Sequence, residues 1–175
     1  MESMEVFSPL TDDVIAQLKV GQKILMTGTI YTARDAAHKK ITEALQKGED
    51  CEFDVTGQTI YYAGPCPAKP GYPIGPIGPT TSGLMDAYTP CLLNQGLKAM
   101  IGKGFRSKEV KDAVIANRAV YLAAIGGAAA VMMNCVKAAE VVAFEELGTE
   151  AVRKLTVEKM PLIVAMDIYG GDIYC

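Results

Sequence analysis

Two places where an apolar strand pattern leads directly into a helical pattern constrain the fold of this chain most. Residues 23–31 form an apolar run that is typical of a buried strand. Thr32 then offers a helix N-cap, apolar residues recur at helical spacing, and Gly48 ends the pattern. Residues 119–125 form a second strand pattern, followed by an alanine-rich helical pattern that ends at Gly148. Alternating strands and helices predict an α/β fold with a mixed sheet.

The remaining segments predict shorter elements. Residues 53–63 alternate like a strand pair, and residues 64–73 are too rich in proline for regular structure. Helices are expected over residues 89–100 and 107–117, and one or two closing strands are expected in the tail. With 175 residues the chain is predicted to form a single domain, residues 1–175.

Composition and charge narrow the possible functions. Half of the residues are hydrophobic and 21% are charged, which predicts a packed globule with apolar surface available to a partner. A formal net charge of -3 without a basic cluster argues against nucleic-acid binding. The apolar run at 119–130 is too short to span a membrane and residues 1–5 are acidic, so a cytoplasmic protein is expected. Cysteines without a CxxC pair predict neither a disulfide framework nor a self-contained zinc site.

Arg34 is the first candidate functional residue. The predicted helix places it in the first turn, where free backbone N–H groups and the helix dipole favour an anion, and a guanidinium suits a carboxylate. The alternative is an exposed arginine that pairs with Asp35 or Glu43. His38 lies one turn later and is expected to share a face with Arg34 in a structural or supporting role. No GxSxG motif accompanies this single histidine, so a Ser-His-Asp hydrolase is not predicted.

The segment at residues 78–83, Gly-Pro-Thr-Thr-Ser-Gly, is the second candidate. Hydroxyl groups on Thr80, Thr81 and Ser82, together with the flexible glycines, allow a close approach to a small polar ligand. A simple turn is the alternative interpretation.

Lys103 is the third candidate. It lies between Gly102 and Gly104 in a segment that superficially resembles a phosphate-binding loop. Gly96 is one residue too far from Gly102 for that motif, and Gly104 stands where the motif requires Ser or Thr. The segment is also predicted to follow a helix and not a strand. These differences argue against a Walker-type ATPase. A lysine presented to an anion and a solvated turn are both consistent with the sequence.

Gly126 and Gly127 follow an apolar strand pattern and precede a helical one. They form half of a dinucleotide-binding fingerprint, without its third glycine or its acidic partner. Close packing of strand on helix is the preferred interpretation. A nucleotide-binding or other small-molecule-binding α/β module is kept as an alternative.

Five segments, taken in order, resemble the C-terminal region of class I fumarases, which is the beta subunit where that enzyme is split. They are residues 34–39, 78–86, 101–104, 126–129 and 162–174. The resemblance covers nearly the whole chain, and the first three segments together are fairly specific. It implies a swivelling β/β/α domain with flanking helices, belonging to a hydro-lyase of the fumarase and L-tartrate dehydratase type.

The resemblance also implies a reaction and a partner. The enzyme would add water to a small dicarboxylate or remove it, with fumarate and (S)-malate as leading substrates and tartrate next. A larger alpha subunit would hold a [4Fe–4S] cluster through three of its own cysteines, in a heterotetramer, so that no cysteine of this chain is a ligand. In isolation, the apolar surface makes a homodimer plausible.

The resemblance assigns roles to four residues. Arg34 and Lys103 would bind substrate carboxylates, and Thr81 would also line the substrate pocket. Thr80 and Lys103 would be the catalytic residues, with Thr80 close to the reacting carbons.

One position departs from the family pattern. Leu84 stands where the family normally carries an arginine before Met85 and Asp86. Losing a charge-assisted carboxylate contact costs about 1.5–3 kcal/mol unless another group, such as Arg106, replaces it. A different 2-hydroxy acid, a weak enzyme and a non-catalytic regulatory or assembly paralogue are therefore carried as alternatives.

Overall fold

A computed structural model describes residues 3–124 and 129–175. Its elements in chain order are β1 (Met4–Ser8), α1 (Asp12–Gln17), β2 (Lys23–Thr32), α2 (Asp35–Lys47), β3 (Thr59–Tyr61), a 3-10 turn (Ser82–Met85), α3 (Thr89–Asn94), β4 (Ala99–Gly102), α4 (Lys108–Ala116), β5 (Val120–Ala124), α5 (Ala129–Cys135), β6 (Val136–Ala143), a second 3-10 turn (Glu145–Glu150) and β7 (Val152–Met166).

The seven strands of the described residues form a mixed sheet that closes on itself. Their order is β1-β2-β3-β4-β5-β7-β6, and an additional pairing of β2 with β7 closes β2 to β5 and β7 into a five-stranded barrel. Strands β1 to β5 pair in parallel, each with the next. Strand β7 is antiparallel to β2, β5 and β6. The predicted α/β class and mixed sheet are confirmed.

Strand β7 closes the barrel because its 15 residues reach several neighbours. It pairs with β2 from Thr32 opposite Arg153 to Lys23 opposite Ile163, and its later residues also pair with β5. Buried apolar side chains fill the inside of the barrel, among them Ile24, Met26, Ile30, Leu122, Leu155 and Leu162. A second core, including Ile41, Leu92, Leu93, Val110 and Val114, packs α2, α3 and α4 against the outside of the sheet. The sheet is thus covered on both faces, as its parallel part requires.

The predicted unit of β2 and α2 is confirmed, with a correction at the junction. Thr32 is not the N-cap: it is the last residue of β2, and its hydroxyl accepts a hydrogen bond from the Arg153 N–H at 3.2 Å. Arg34 is the N-cap, with an extended backbone and no side-chain capping bond. Gly48 ends α2 in the left-handed conformation, as predicted. Arg34 therefore lies at the helix cap and not within the first turn.

The segment before Lys103 also differs from the prediction. The helix predicted for residues 89–100 ends at Asn94, and β4 begins at Ala99, between β3 and β5. Pairing with two neighbouring strands outweighs the local helical pattern. Lys103 therefore follows a strand and not a helix.

The predicted long alanine-rich helix is wrong beyond Cys135. Helix α5 ends there, and β6 pairs with β7 instead of continuing to Gly148. The high helix propensity of alanine is a weak preference that tertiary pairing overrides. Residues 53–58 form no strand, so β3 is all that remains of the predicted pair. Residues 126–127 lie outside the described part of the chain.

A buried ion pair lies in the outer core, next to the ends of the parallel strands. The Arg106 side chain is fully buried, and its Nε donates to Asp86 Oδ1 at 2.7 Å. Its Nη2 donates to the Tyr62 hydroxyl at 3.0 Å and to Thr89 Oγ1 at 2.9 Å. The guanidinium also lies 5.1 Å and 4.7 Å from the ring centroids of Tyr62 and Tyr121. Arg106 thus has partners on most sides.

Replacing Asp86 by Ala is expected to lower the free energy of unfolding by about 3–5 kcal/mol, because it leaves a buried guanidinium without its counter-charge. Urea denaturation followed by circular dichroism measures this change. The matched control is Asp112→Ala, which removes an exposed carboxylate 3.9 Å from Lys108 and should change the free energy by less than about 1 kcal/mol. Equal effects of the two substitutions would contradict a structural role for the buried pair.

Candidate functional site

The candidate residues gather at one edge of the barrel. The parallel strands β2 to β5 all end there, because parallel strands share a carboxyl edge. Arg34 lies two residues after β2, and Lys103 directly follows β4. The segment that carries Thr80 and Thr81 crosses the ends of β3 and β4. Four residues from three parts of the sequence therefore share this edge.

Backbone hydrogen bonds fix the Thr80 segment against the strand ends. The Thr80 N–H donates to the Tyr62 carbonyl, just beyond β3, at 2.7 Å. Thr81 pairs with Lys103 as a parallel bridge, and the Ser82 N–H donates to the Lys103 carbonyl at 2.9 Å. Lys103 and Thr81 are exposed and Thr80 is half-buried. Two hydroxyls and an ammonium group are thus carried on a backbone that is held in place.

Ser82 turns inward from the same segment and anchors it. Its side chain is fully buried, and its Oγ lies 2.7 Å from the Tyr121 hydroxyl, which is also 2.9 Å from the Gly104 carbonyl. A phenol has one proton and a carbonyl only accepts, so Tyr121 donates to Gly104 and the Ser82 hydroxyl donates to Tyr121. Burial raises the pKa of Tyr121, which keeps the phenol protonated. A Cβ on Gly102 would overlap Ser82 Oγ, so glycine is needed there.

Arg34 is joined to the same edge through β3. The Ala33 N–H donates to the Tyr61 carbonyl at 3.1 Å, and a Cβ on Gly64 would lie 3.3 Å from Arg34 Cδ. The Arg34 side chain is one-third exposed, with the carboxylates of Asp35 and Glu150 at 3.7 Å and 3.9 Å from its guanidinium nitrogens. Its Nε is buried and, within the described residues, has no hydrogen-bond partner. Both carboxylates lie beyond hydrogen-bond distance, so the guanidinium is not committed to a close ion pair with either of them.

Leu84 lies beside this segment, and Arg106 does not compensate for it. It belongs to the 3-10 turn that follows Thr81, and 56% of it is exposed. Arg106, the cation considered as a replacement for the missing arginine, is buried and bound to Asp86. The candidate site therefore contains Arg34 and Lys103 but not Arg106.

His38 lies beneath Arg34 and is fully buried. Its Nδ1 is 2.7 Å from the Arg34 carbonyl oxygen, and its ring meets Tyr62 edge-on with centroids 5.3 Å apart. Burial lowers the pKa of His38 to about 4, and the Arg106 charge acts in the same direction, while the bond to Arg34 opposes it. The imidazole is therefore neutral near pH 7.

The most prominent cleft formed by the described residues lies away from the candidate residues. A cleft of about 470 Å³ lies near the proline-rich loop, lined among others by Cys66, Ile74, Glu140 and Arg153, and none of the four candidate residues borders it. The described residues hold no group of three or more histidine, cysteine or acidic side chains placed to bind a metal ion. In the same part of the chain, no helix has the length and apolar character to cross a membrane.

Sequence reasoning missed the residues that support the site. Tyr62 holds Thr80 through its carbonyl, Tyr121 holds Ser82, and Arg106 packs between their rings. Each of these residues lies in a segment whose local sequence is typical of core or loop. Only the pairing of β3, β4 and β5 brings them together, and no local signal predicted that pairing.

Comparison with known proteins gives consistent matches. The family model for the fumarase C-terminus matches residues 2–175. The chain is 40% identical over 167 residues to the anaerobic class I fumarate hydratase of Escherichia coli strain K12, covering 93% of this chain and 30% of that protein. It is 40% identical over 162 residues to fumarate hydratase 2 of Leishmania major, covering 91% of this chain and 28% of that protein.

A smaller relative is matched along most of its length. The putative L(+)-tartrate dehydratase subunit beta of Methanocaldococcus jannaschii is 43% identical over 174 residues, covering 96% of this chain and 89% of that protein. The chain thus spans less than a third of the two fumarate hydratases and most of the beta subunit. The resemblance noted in the sequence is confirmed.

The buried histidine predicts a pH dependence of stability. His38 takes up a proton near pH 6.5 in the unfolded chain but only near pH 4 in the folded chain. The stability that its neutral form contributes is therefore fully present above pH 6.5 and is lost as the pH falls toward 4. Between pH 7 and pH 5, His38 should account for a loss of about 2 kcal/mol. Urea denaturation at both pH values should show a smaller loss for His38→Phe than for the unaltered chain. An identical loss in both would contradict the low pKa.

Proposed function

This chain belongs to the fumarase C-terminus family, and we propose that it is the beta-type part of a hydro-lyase acting on a small dicarboxylate, with fumarate and (S)-malate as the leading substrates. The observation that carries this proposal is the meeting of Arg34, Thr80, Thr81 and Lys103 at one edge of the barrel. Two cations and two hydroxyls on neighbouring strand ends suit a ligand with a carboxylate at each end.

The proposed roles follow from the chemistry of water addition to an activated double bond. Negative charge develops next to a carboxylate as the C–H bond forms or breaks, and fixed cations stabilise that charge. Arg34 and Lys103 bind the carboxylates, and Thr81 borders the pocket. Thr80, held through its backbone at 2.7 Å from the Tyr62 carbonyl, places a hydroxyl near the reacting carbon, where it helps to move the proton.

A larger partner is part of this proposal. Lys103 and Thr81 are exposed, so a second protein surface is needed to exclude water from the substrate. The relatives support such a partner, because fumarate hydratases about three times longer contain this region. From the family resemblance we further propose that a [4Fe–4S] cluster is held by the alpha subunit of a heterotetramer, and not by cysteines of this chain. Such a cluster supplies a Lewis-acidic iron for the substrate hydroxyl.

Two other assignments have specific support. L(+)-tartrate dehydration is supported by the 43% identity to a putative beta subunit of that enzyme. A non-catalytic regulatory or assembly paralogue is supported by the exposed Leu84 and by the commitment of Arg106 to Asp86. The presence of Arg34, Thr80 and Lys103 at one edge of the barrel favours the enzyme over the paralogue.

Lys103→Ala tests the proposed carboxylate site. The substitution should lower kcat/KM for fumarate hydration by about 10-fold to 150-fold, the loss expected for one charge-assisted contact. The assay uses the complex produced anaerobically together with its larger subunit, and tartrate dehydration is measured in parallel. Lys108→Ala, which removes an exposed lysine on α4, is the matched control and should leave kcat/KM unchanged. Equal values for both variants would refute the role of Lys103.

Leu84→Arg tests whether the missing arginine weakens substrate binding, and the activity of the unaltered complex decides between the enzyme and the paralogue. If the unaltered complex is active, the added guanidinium beside Thr81 should lower KM for fumarate, because it supplies a further carboxylate contact. KM values for fumarate and tartrate measured before and after the substitution also show which dicarboxylate the site prefers. A fully assembled complex that converts neither substrate would refute the enzymatic proposal and support the paralogue.

A further inference from the structure

His38 has a geometry that fixes its tautomer. It is the chain's single histidine and lies fully buried on α2, one turn after Arg34. Its Nδ1 is 2.7 Å from the Arg34 carbonyl oxygen, which can only accept a hydrogen bond. Nδ1 therefore carries the proton. In the neutral ring, Nε2 is then an acceptor.

That acceptor is left without a partner. Within the described residues, nothing donates a hydrogen bond to His38 Nε2, which is buried. An unpaired buried acceptor lowers stability, so an apolar ring of similar size would suit the surroundings of Nε2 better. The one thing that such a ring could not supply is the Nδ1–H donor. The low pKa of about 4 keeps the ring neutral and preserves this arrangement near pH 7.

The donor acts on the backbone that carries Arg34. The Arg34 carbonyl accepts both the His38 backbone N–H at 2.9 Å and the Nδ1–H at 2.7 Å. Two donors fix the plane of the Arg34–Asp35 peptide and so the direction in which the Arg34 side chain leaves the helix. The guanidinium has only loose restraints of its own, with carboxylates of Asp35 and Glu150 at 3.7 Å and 3.9 Å. The orientation of the Arg34 guanidinium therefore depends on the Arg34 backbone.

The same imidazole also contacts the residue that holds Thr80. Its ring meets Tyr62 edge-on, with centroids 5.3 Å apart and planes inclined by 64°. The Tyr62 carbonyl in turn accepts the Thr80 N–H at 2.7 Å. One buried side chain thus connects the supports of Arg34 and Thr80.

We infer that His38 is a positioning residue whose Nδ1–H bond to the Arg34 carbonyl directs the Arg34 guanidinium at a substrate carboxylate. This rests on the proposed function, because it requires that Arg34 binds substrate. His38 is fully buried and acts through its neighbours.

Two substitutions separate positioning from packing. His38→Phe keeps an aromatic ring against Tyr62 and removes the donor, whereas His38→Asn keeps a donor near the place of Nδ1 and removes the ring. In the assembled complex, His38→Phe should raise KM for fumarate about tenfold, and His38→Asn should stay within about threefold of the unaltered enzyme. A packing role predicts the reverse order, because Asn leaves a cavity. That reverse order would overturn the inference.

A double-mutant cycle with Arg34→Met identifies the route of the effect. If His38 acts through Arg34, His38→Phe should add no further increase in KM to that of Arg34→Met. Increases that multiply would overturn the inference. An unchanged KM in Arg34→Met alone would instead refute the proposed role of Arg34, and the inference with it. Failure of the proposed function and failure of the inference are thereby distinguished.

Nitrogen-15 NMR of the isolated chain gives a readout that does not depend on activity. Only one histidine contributes imidazole signals. The expected spectrum near pH 7 shows a protonated Nδ1 and an unprotonated Nε2. A ring protonated on Nε2 would have no donor for the Arg34 carbonyl and would overturn the inference.

Discussion

The ion pair between Arg106 and Asp86 is the interaction on which the candidate site depends. Asp86 ends the 3-10 turn that follows Thr80 and Thr81, and its second oxygen accepts the Ser107 N–H at 2.7 Å, where α4 begins. Arg106 lies between the rings of Tyr62 and Tyr121. The pair therefore connects a surface loop, the start of α4 and two aromatic residues, one just beyond β3 and one within β5. Since the Arg106 side chain is fully buried, removing its carboxylate partner carries a large free-energy cost.

The chain uses its cations in two opposite ways. Arg106 has a carboxylate, two hydroxyls and two aromatic rings as partners, so it has little left to offer a ligand. Arg34 and Lys103 lie at the edge with loose ion pairs or solvent around them. A group that is to stabilise charge on a substrate must be held in position yet still have free hydrogen-bonding capacity. Here the backbone supplies the positioning, which leaves the charged ends free.

Sequence reasoning succeeded where local signals and structure agree. The apolar run of β2, the end of α2 at Gly48 and the helix expected over residues 107–117 are all determined by neighbouring residues, and each is present. It failed where partners far along the chain decide the conformation, as at β4 and β6. The candidate residues were found through motifs. Their meeting at one edge needed the sheet order, which no local pattern encodes.

The position of β7 in the chain determines when the barrel can close during translation. Thr32 on β2 and Arg153 at the start of β7 are 121 residues apart, so closing the barrel joins distant parts of the chain. Among the described strands, β7 is also the last to leave the ribosome. Until then, β2 and β5 each lack their pairing with β7 and the inner core stays open, which favours slow folding. The finished barrel edge, with its candidate residues, can therefore exist only after translation has passed β7.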